Sequence, residues 1–116
     1  MHELSIAQNI IEIVNEHALR HNAKEVTRII IEIGELSGVE KDALEFCFPI
    51  VAKGTVATNS TLELNVIPLK ALCKSCKHTF KVVDLQFICP ICESINLETI
   101  EGREMVIKTI EMNCEE

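Results

Sequence analysis

Four of the six cysteines stand in two matched pairs, Cys73-Lys-Ser-Cys76 and Cys89-Pro-Ile-Cys92, with twelve residues between them. Each Cys-x-x-Cys turn directs two sulfurs out of one tight loop, and two such turns at this spacing build the four-thiolate shell of a zinc ribbon. The stretch from His78 to Ile88 is then the ribbon that brings the two loops together. Four thiolates fill a tetrahedral shell and leave no position for water, so the pattern predicts one structural Zn(2+) per chain rather than a hydrolytic centre. Four unrelated cysteines or a thiol redox pair are the competing readings, and the doubled spacing favours zinc over both. Ligation of this kind contributes about 10–16 kcal/mol in small peptide sites, enough to fold a module without a large core of its own.

At the other end of the sequence, Met1-His2 sets a free amine, the His2 amide nitrogen and an imidazole where they can close adjoining chelate rings on one ion. Nitrogen donors in a square plane suit Ni(II) or Cu(II), and the Glu3 amide or a nearby carboxylate would complete the set. Copper has the higher intrinsic affinity, and a His at position 2 is also read as a solvated terminal residue. The residues alone leave these alternatives open.

The remaining candidates are weaker. His17 and His21 lie four apart, on one helix face, but basic side chains at a helix end are ordinary and no third ligand is evident nearby in the sequence. Cys47 falls on the apolar face of a helix and reads as a small buried hydrophobe, while Cys114 lies in a polar tail. Neither has a His or Asp partner that would make it a nucleophile, so no catalytic residue is assigned.

These groups need elements to hold them. From Leu4 to about Arg20, Leu4, Ala7, Ile11, Val14 and Ala18 repeat at alternating three and four, and Ile6, Ile10 and Ile13 widen the stripe into a helix face. Asn22 is placed to end that helix in the left-handed conformation. Val26 to Ile33 reads as a strand with Ile29, Ile31 and Ile33 on one side and Arg28, Ile30 and Glu32 on the other. Ser37 followed by Glu40 fits a capping box opening a second helix with Leu44, Cys47, Phe48 and Val51 on its apolar face. Pro49 predicts a kink and Gly54 a stop. Thr61 to Ile67 alternates Leu62, Leu64 and Val66 against Glu63 and Asn65, and Met105 to Met112 is a third strand.

Residues 70–100 interrupt this order with little amphipathic periodicity. The expected fold is therefore α+β: two helices packed on a three-stranded sheet, formed by 1–69 plus 101–116, with an inserted four-cysteine zinc-ribbon domain at 70–100. The last two strands are expected to pair and to bury both helices on one sheet face.

Composition narrows the function. The 116 residues carry a net charge of −7, no Trp or Tyr and four Phe, which argues against phosphate backbones, anionic membranes and base-stacking platforms. No apolar run reaches the roughly 20 residues of a membrane span, and the first residues lack the basic start of a secretory signal, so a cytoplasmic protein with reduced thiols is expected.

Met1-His2-Glu3-Leu4-Ser5, Ile31-Glu32-Ile33-Gly34, Phe46-Cys47-Phe48, Gly54-Thr55-Val56 and the four ribbon cysteines together resemble the HypA/HybF hydrogenase nickel-incorporation proteins, through essentially the whole chain. The resemblance implies a non-catalytic metallochaperone with Ni(2+) as transient cargo, bound by His2 as the essential ligand with Glu3 and main-chain nitrogens, including those at Met1, beside it. Some members add a carboxylate near the start of the second helix, where this chain has Glu40 rather than an Asp; Pro49 likewise replaces an acidic residue often found there. The implied partners are the nickel-handling maturation GTPase and the [NiFe]-hydrogenase large-subunit precursor, with the chaperone a monomer or homodimer. The alternative is a zinc-ribbon module that binds protein or nucleic acid without nickel, which the acidic charge and missing basic stripe disfavour. An enzyme built on Cys47 or a zinc-bound water would need an exposed, reactive Cys47 or an open zinc position.

Overall fold

The structure, a computed structural model, describes residues 2–114. The opening apolar stripe produces α1 (Glu3–Arg20), which buries Ala7, Ile10, Ile11, Val14 and Ala18. Leu4 and Ile13, expected on that face, are 50% and 43% exposed because they fall toward the two edges of the stripe. Asn22 takes the left-handed conformation (φ 55), and the Asn22 and Ala23 N–H groups bond back to the Leu19 and Ala18 carbonyls. Those paired bonds satisfy carbonyls the helix end would otherwise leave open.

Three strands form the first sheet: β1 (Glu25–Gly34), β2 (Thr61–Ile67) and, at the end of the chain, a strand spanning Met105–Asn113. β1 lies in the middle, parallel to β2 and antiparallel to the last strand. The expected pairing of the second and last strands therefore does not occur. β1 is the longest and most deeply buried strand, with Ile29, Ile31 and Ile33 in the core, and it gains most from a neighbour on both edges. Its parallel pairing with β2 needs a long crossover, and α2 (Lys41–Ala52) supplies it.

α2 is capped by Glu40, whose side chain accepts from the Asp42 N–H, whereas Ser37 accepts from the Val39 N–H within the preceding turn. The capping box expected from Ser37 and Glu40 therefore does not form, and the cap lies at Glu40, three residues further on. The helix continues through Pro49 to Ala52, and Gly54 (φ +82) follows its end. Leu44, Phe48 and Ala52 join the α1 stripe and the inward isoleucines of β1 in one apolar core, with Cys47 and Val51 at its margin. Val66, read as inward on β2, is 51% exposed, since burial on that strand is confined to its centre at Leu64.

Residues 70–101 hold a second sheet of β3 (Lys70–Cys73), β4 (Thr79–Lys81) and β5 (Leu97–Glu101), ordered β4-β3-β5 and antiparallel throughout; the Met105–Asn113 strand is β6. Its core is small: Leu69, Ala71 and Val82, with Phe80, Leu97 and Leu36 packed against them. Strands this short carry too little pattern to read from sequence. The radius of gyration, 17.8 Å, exceeds the about 13 Å of a compact chain this long, so the two sheets extend the molecule rather than share one centre. The fold is α+β.

Candidate metal centres

β3 ends in Cys73, and β5 begins where the second knuckle closes, so the small sheet positions both Cys-x-x-Cys turns. The turns have the same backbone geometry. The Lys77 N–H donates to the Cys73 carbonyl (2.8 Å) and the Cys73 N–H to the His78 carbonyl (2.8 Å). In the second turn the Glu93 N–H donates to the Cys89 carbonyl (2.9 Å) and the Cys89 N–H to the Ser94 carbonyl (2.9 Å). Lys77 (φ 67) and Glu93 (φ 62) both adopt the left-handed conformation that turns the chain back. Neither residue was singled out from sequence, and their position directly after each second cysteine is the only local signal.

The four sulfurs of Cys73, Cys76, Cys89 and Cys92 all lie within 4.8 Å of one another, with Cys73 to Cys92 at 3.5 Å and Cys76 to Cys89 at 3.6 Å. A tetrahedron of Zn–S bonds of about 2.3 Å has sulfur–sulfur edges of about 3.8 Å. The spacing fits that shell. Cys73 and Cys89 are fully buried, whereas Cys76 and Cys92 are exposed, so one member of each turn anchors the site in the module and the other closes it from outside.

Protein contacts alone do not ionise the four thiols together. The Cys76 backbone N–H, opposed by burial and aided by Cys92, draws Cys73 down to about 6. Burial works against Cys89, but the Cys92 and Ile91 N–H groups lower it. At Cys92 the Ser94 N–H favours the thiolate, yet Cys73 Sγ and burial push the thiol up to about 12. Cys76 is also raised: the His78 N–H pulls it down, while burial and the Cys89 and Cys73 sulfurs outweigh that pull. A set that ionises only in part by itself, with its sulfurs already in contact, is suited to a divalent cation that compensates all four charges.

The opening residues are built differently. His2 is the N-cap residue of α1, is exposed, and makes no side-chain capping bond. Glu3 is 7% exposed and its Oε2 accepts the Glu40 N–H at 3.0 Å, tying the start of α1 to the start of α2. The Glu40 carboxylate in turn caps its own helix through Asp42. His2, Glu3 and Glu40 are therefore close together, but the two carboxylates already have structural tasks. Met1 lies outside the described residues.

Elsewhere, Cys47 is half-buried against the core, and Cys114 is exposed with its thiol toward the His21 carbonyl (3.5 Å). The His17 and His21 rings are nearly parallel, with centroids 6.4 Å apart. No helix among the described residues is long and apolar enough to cross a membrane.

The family model for HypA, described as hydrogenase/urease nickel incorporation metallochaperone, matches residues 1–112. The hydrogenase maturation factor HypA of Psychromonas ingrahamii is 40% identical over 112 residues, covering 97% of this chain and 98% of that protein. The corresponding factor of Aquifex aeolicus is 36% identical over 115 residues, covering 99% and 100%. The solution structure of the Ni metallochaperone HypA from Helicobacter pylori superimposes with a TM-score of 0.72 at 30% identity, covering 99% of this chain and all of that one.

Proposed function

This chain belongs to the HypA family of hydrogenase/urease nickel-incorporation metallochaperones, and from that premise we propose that it carries Ni(2+) as cargo on His2 and keeps a resident Zn(2+) on Cys73, Cys76, Cys89 and Cys92. In this reading the two domains, 1–69 with 101–116 and 70–100, divide the work between carrying and scaffolding. The observation that carries it is the contrast between the two ends of the molecule. One presents four converging sulfurs, enough to fill a tetrahedral shell; the other presents an exposed imidazole at a helix start. A cargo ion must be released, and an open, incomplete shell permits a client's ligands to attack it, while a closed thiolate shell holds its ion.

His2 is the essential ligand, with main-chain nitrogens from Met1 onward in the plane. Glu3 and Glu40 act next to it, and their hydrogen bonds favour a role in holding the first helix against the second over direct ligation. The carrier is non-catalytic and cytoplasmic. Its partners are the maturation GTPase that handles nickel and the [NiFe]-hydrogenase large-subunit precursor that receives it.

Calorimetric nickel titration of the untagged protein beside His2→Ala, with zinc content measured in both, tests the assignment. The tightest nickel-binding event of the wild type should be missing from the variant while zinc stays at one ion per chain. A variant that binds nickel as the wild type does would remove His2 from the ligand set.

A further inference from the structure

α1 ends at Arg20, about 27 Å from its start at the rise of an α-helix, and that end gathers three side chains the reading above leaves unused. His17 and His21 occupy positions i and i+4 on one face, the spacing at which two imidazoles of a helix reach a common ion. Their rings are already nearly parallel, 11° between planes. The His21 Nδ1–H donates to the His17 carbonyl at 2.8 Å. Because a carbonyl only accepts, this bond fixes the proton on Nδ1 and leaves the Nε2 lone pair outward, the arrangement that metal-binding histidines commonly use.

The sequence offers no third ligand here, but strand pairing brings one. Asn113 is the register partner of Glu25, and the Lys24 N–H donates to the Asn113 carbonyl (2.9 Å), so the end of β6 runs beside the turn after α1. The next residue, Cys114, then places its thiol 3.5 Å from the His21 carbonyl. Nearby positive charge is already engaged: Arg20 pairs with Glu16 at 3.0 Å, and Lys108, which shares a recess with His17, is drawn toward Glu32 at 3.9 Å.

We propose that His17, His21 and Cys114 form a second binding site for a borderline divalent cation of the Ni(II) or Co(II) type. Two imidazoles and a thiolate match ions of intermediate softness and disfavour Mg(2+) or Ca(2+), which take oxygen ligands. Among the described residues only the four ribbon sulfurs stand within 4.8 Å of one another as a ready group, so the second site closes by rotation of side chains. Cys114 is exposed, with room to turn toward the rings while His21 keeps its bond to the His17 carbonyl. Binding displaces the Cys114 thiol proton to solvent, which makes the site weaker as pH falls.

The test uses the zinc-loaded His2→Ala protein, which lacks the carrier ligand at the opposite end of α1, titrated with Ni(II) and followed by calorimetry and near-ultraviolet absorption. The site predicts uptake of a nickel ion with a thiolate-to-metal charge-transfer band. Adding His17→Ala and His21→Ala together should weaken that uptake by about tenfold or more, and adding Cys114→Ser should remove the band. No uptake, uptake indifferent to the two histidines, or uptake without the band each overturns the proposal. All three side chains lie at the surface or only part-buried, and unchanged zinc content and helical circular dichroism would show that the fold persists. The carrier assignment is read by loss of the tightest nickel-binding event in His2→Ala and the second site by a thiolate band that Cys114→Ser removes, so either can fail without the other.

Discussion

Arg28 stands on the central strand between two carboxylates, Glu63 on β2 and Glu111 on β6, and bonds to both. The contact to Glu63 raises the guanidinium's own proton affinity, and the same contact, with the Asn65 amide behind it, holds the Glu63 carboxyl below its ordinary range. A depressed carboxylate stabilises the fold at pH above its unfolded value, about 4.3 for Glu, and that contribution fades as pH falls through the lower folded value. The side chains are 41% and 39% exposed, so solvent and salt weaken the effect and the expected stability change is small. The titration itself is the sharper readout. Carboxyl chemical shifts should place the Glu63 midpoint below the ordinary value, and Arg28→Gln should move it upward; a midpoint unmoved by that replacement would dismiss the pair. The alternation of β1 put Arg28 on its polar side, but naming both partners required the strand order, which sits in contacts 35 and 83 residues away along the chain.

Among the elements, the decisive joint is where β1 leaves the first sheet and the connectors at 67–70 and 101–105 pass it. A Cβ on Gly34 would sit 2.4 Å from the Gly102 carbonyl carbon, and one on Gly102 would sit 2.5 Å from the Leu69 Cα. Three backbones therefore cross at distances only glycine permits, and Gly102 also holds φ +100. The Leu36 N–H donates to the Gly102 carbonyl, the Glu35 N–H to the Ile67 carbonyl, and Glu35 Oε1 accepts the Leu69 N–H, all within 2.7–2.8 Å. Gly102→Ala should cost about 1–3 kcal/mol or more, from backbone strain plus overlap that no side-chain rotation relieves. Urea unfolding measures this directly, and a variant as stable as the wild type would mean that the crossing yields. The elements themselves were largely legible, because α1, β1 and α2 announce themselves by the period of buried aliphatics. The joint was not: no local pattern around Gly34 points to it, and the need for its missing side chain lies in its distance from Gly102. The clustering of the four cysteines was legible for the opposite reason, since they fall in two local turns whose spacing survives without knowledge of the fold. The Glu3 to Glu40 bond was half legible, as two candidate carboxylates whose contact depends on how the helices pack.

For the whole molecule, the question is whether its two sheets stand or fall together. The larger buries a continuous aliphatic cluster from Ala7 to Leu64, with Ile10, Val14, Val26, Ile29 and Ile31 of α1 and β1 at 0% exposure. The apolar cluster of the smaller holds only Leu69, Ala71 and Val82 and borrows Leu36 from the loop after β1. Burial at about 25 cal/mol per Å² cannot offset the ordering of about thirty residues from so few side chains, so the ribbon must draw its stability from its ion, whereas the larger sheet does not. Removing the metal with a strong chelator should then abolish amide-exchange protection across the ribbon, at Leu72, Cys73 and Thr79 for example. Protection at Ile29, Ile31 and Ile33 should survive, because those amides and their core lie beyond the joint. Refilling with Zn(2+) should restore the ribbon in step with one ion per chain. The discriminating result is the order of loss: protection disappearing from both sheets at once on chelation would show that the joint at Gly34 and Gly102 couples them into a single cooperative unit, and that the separateness of the two cores does not govern unfolding.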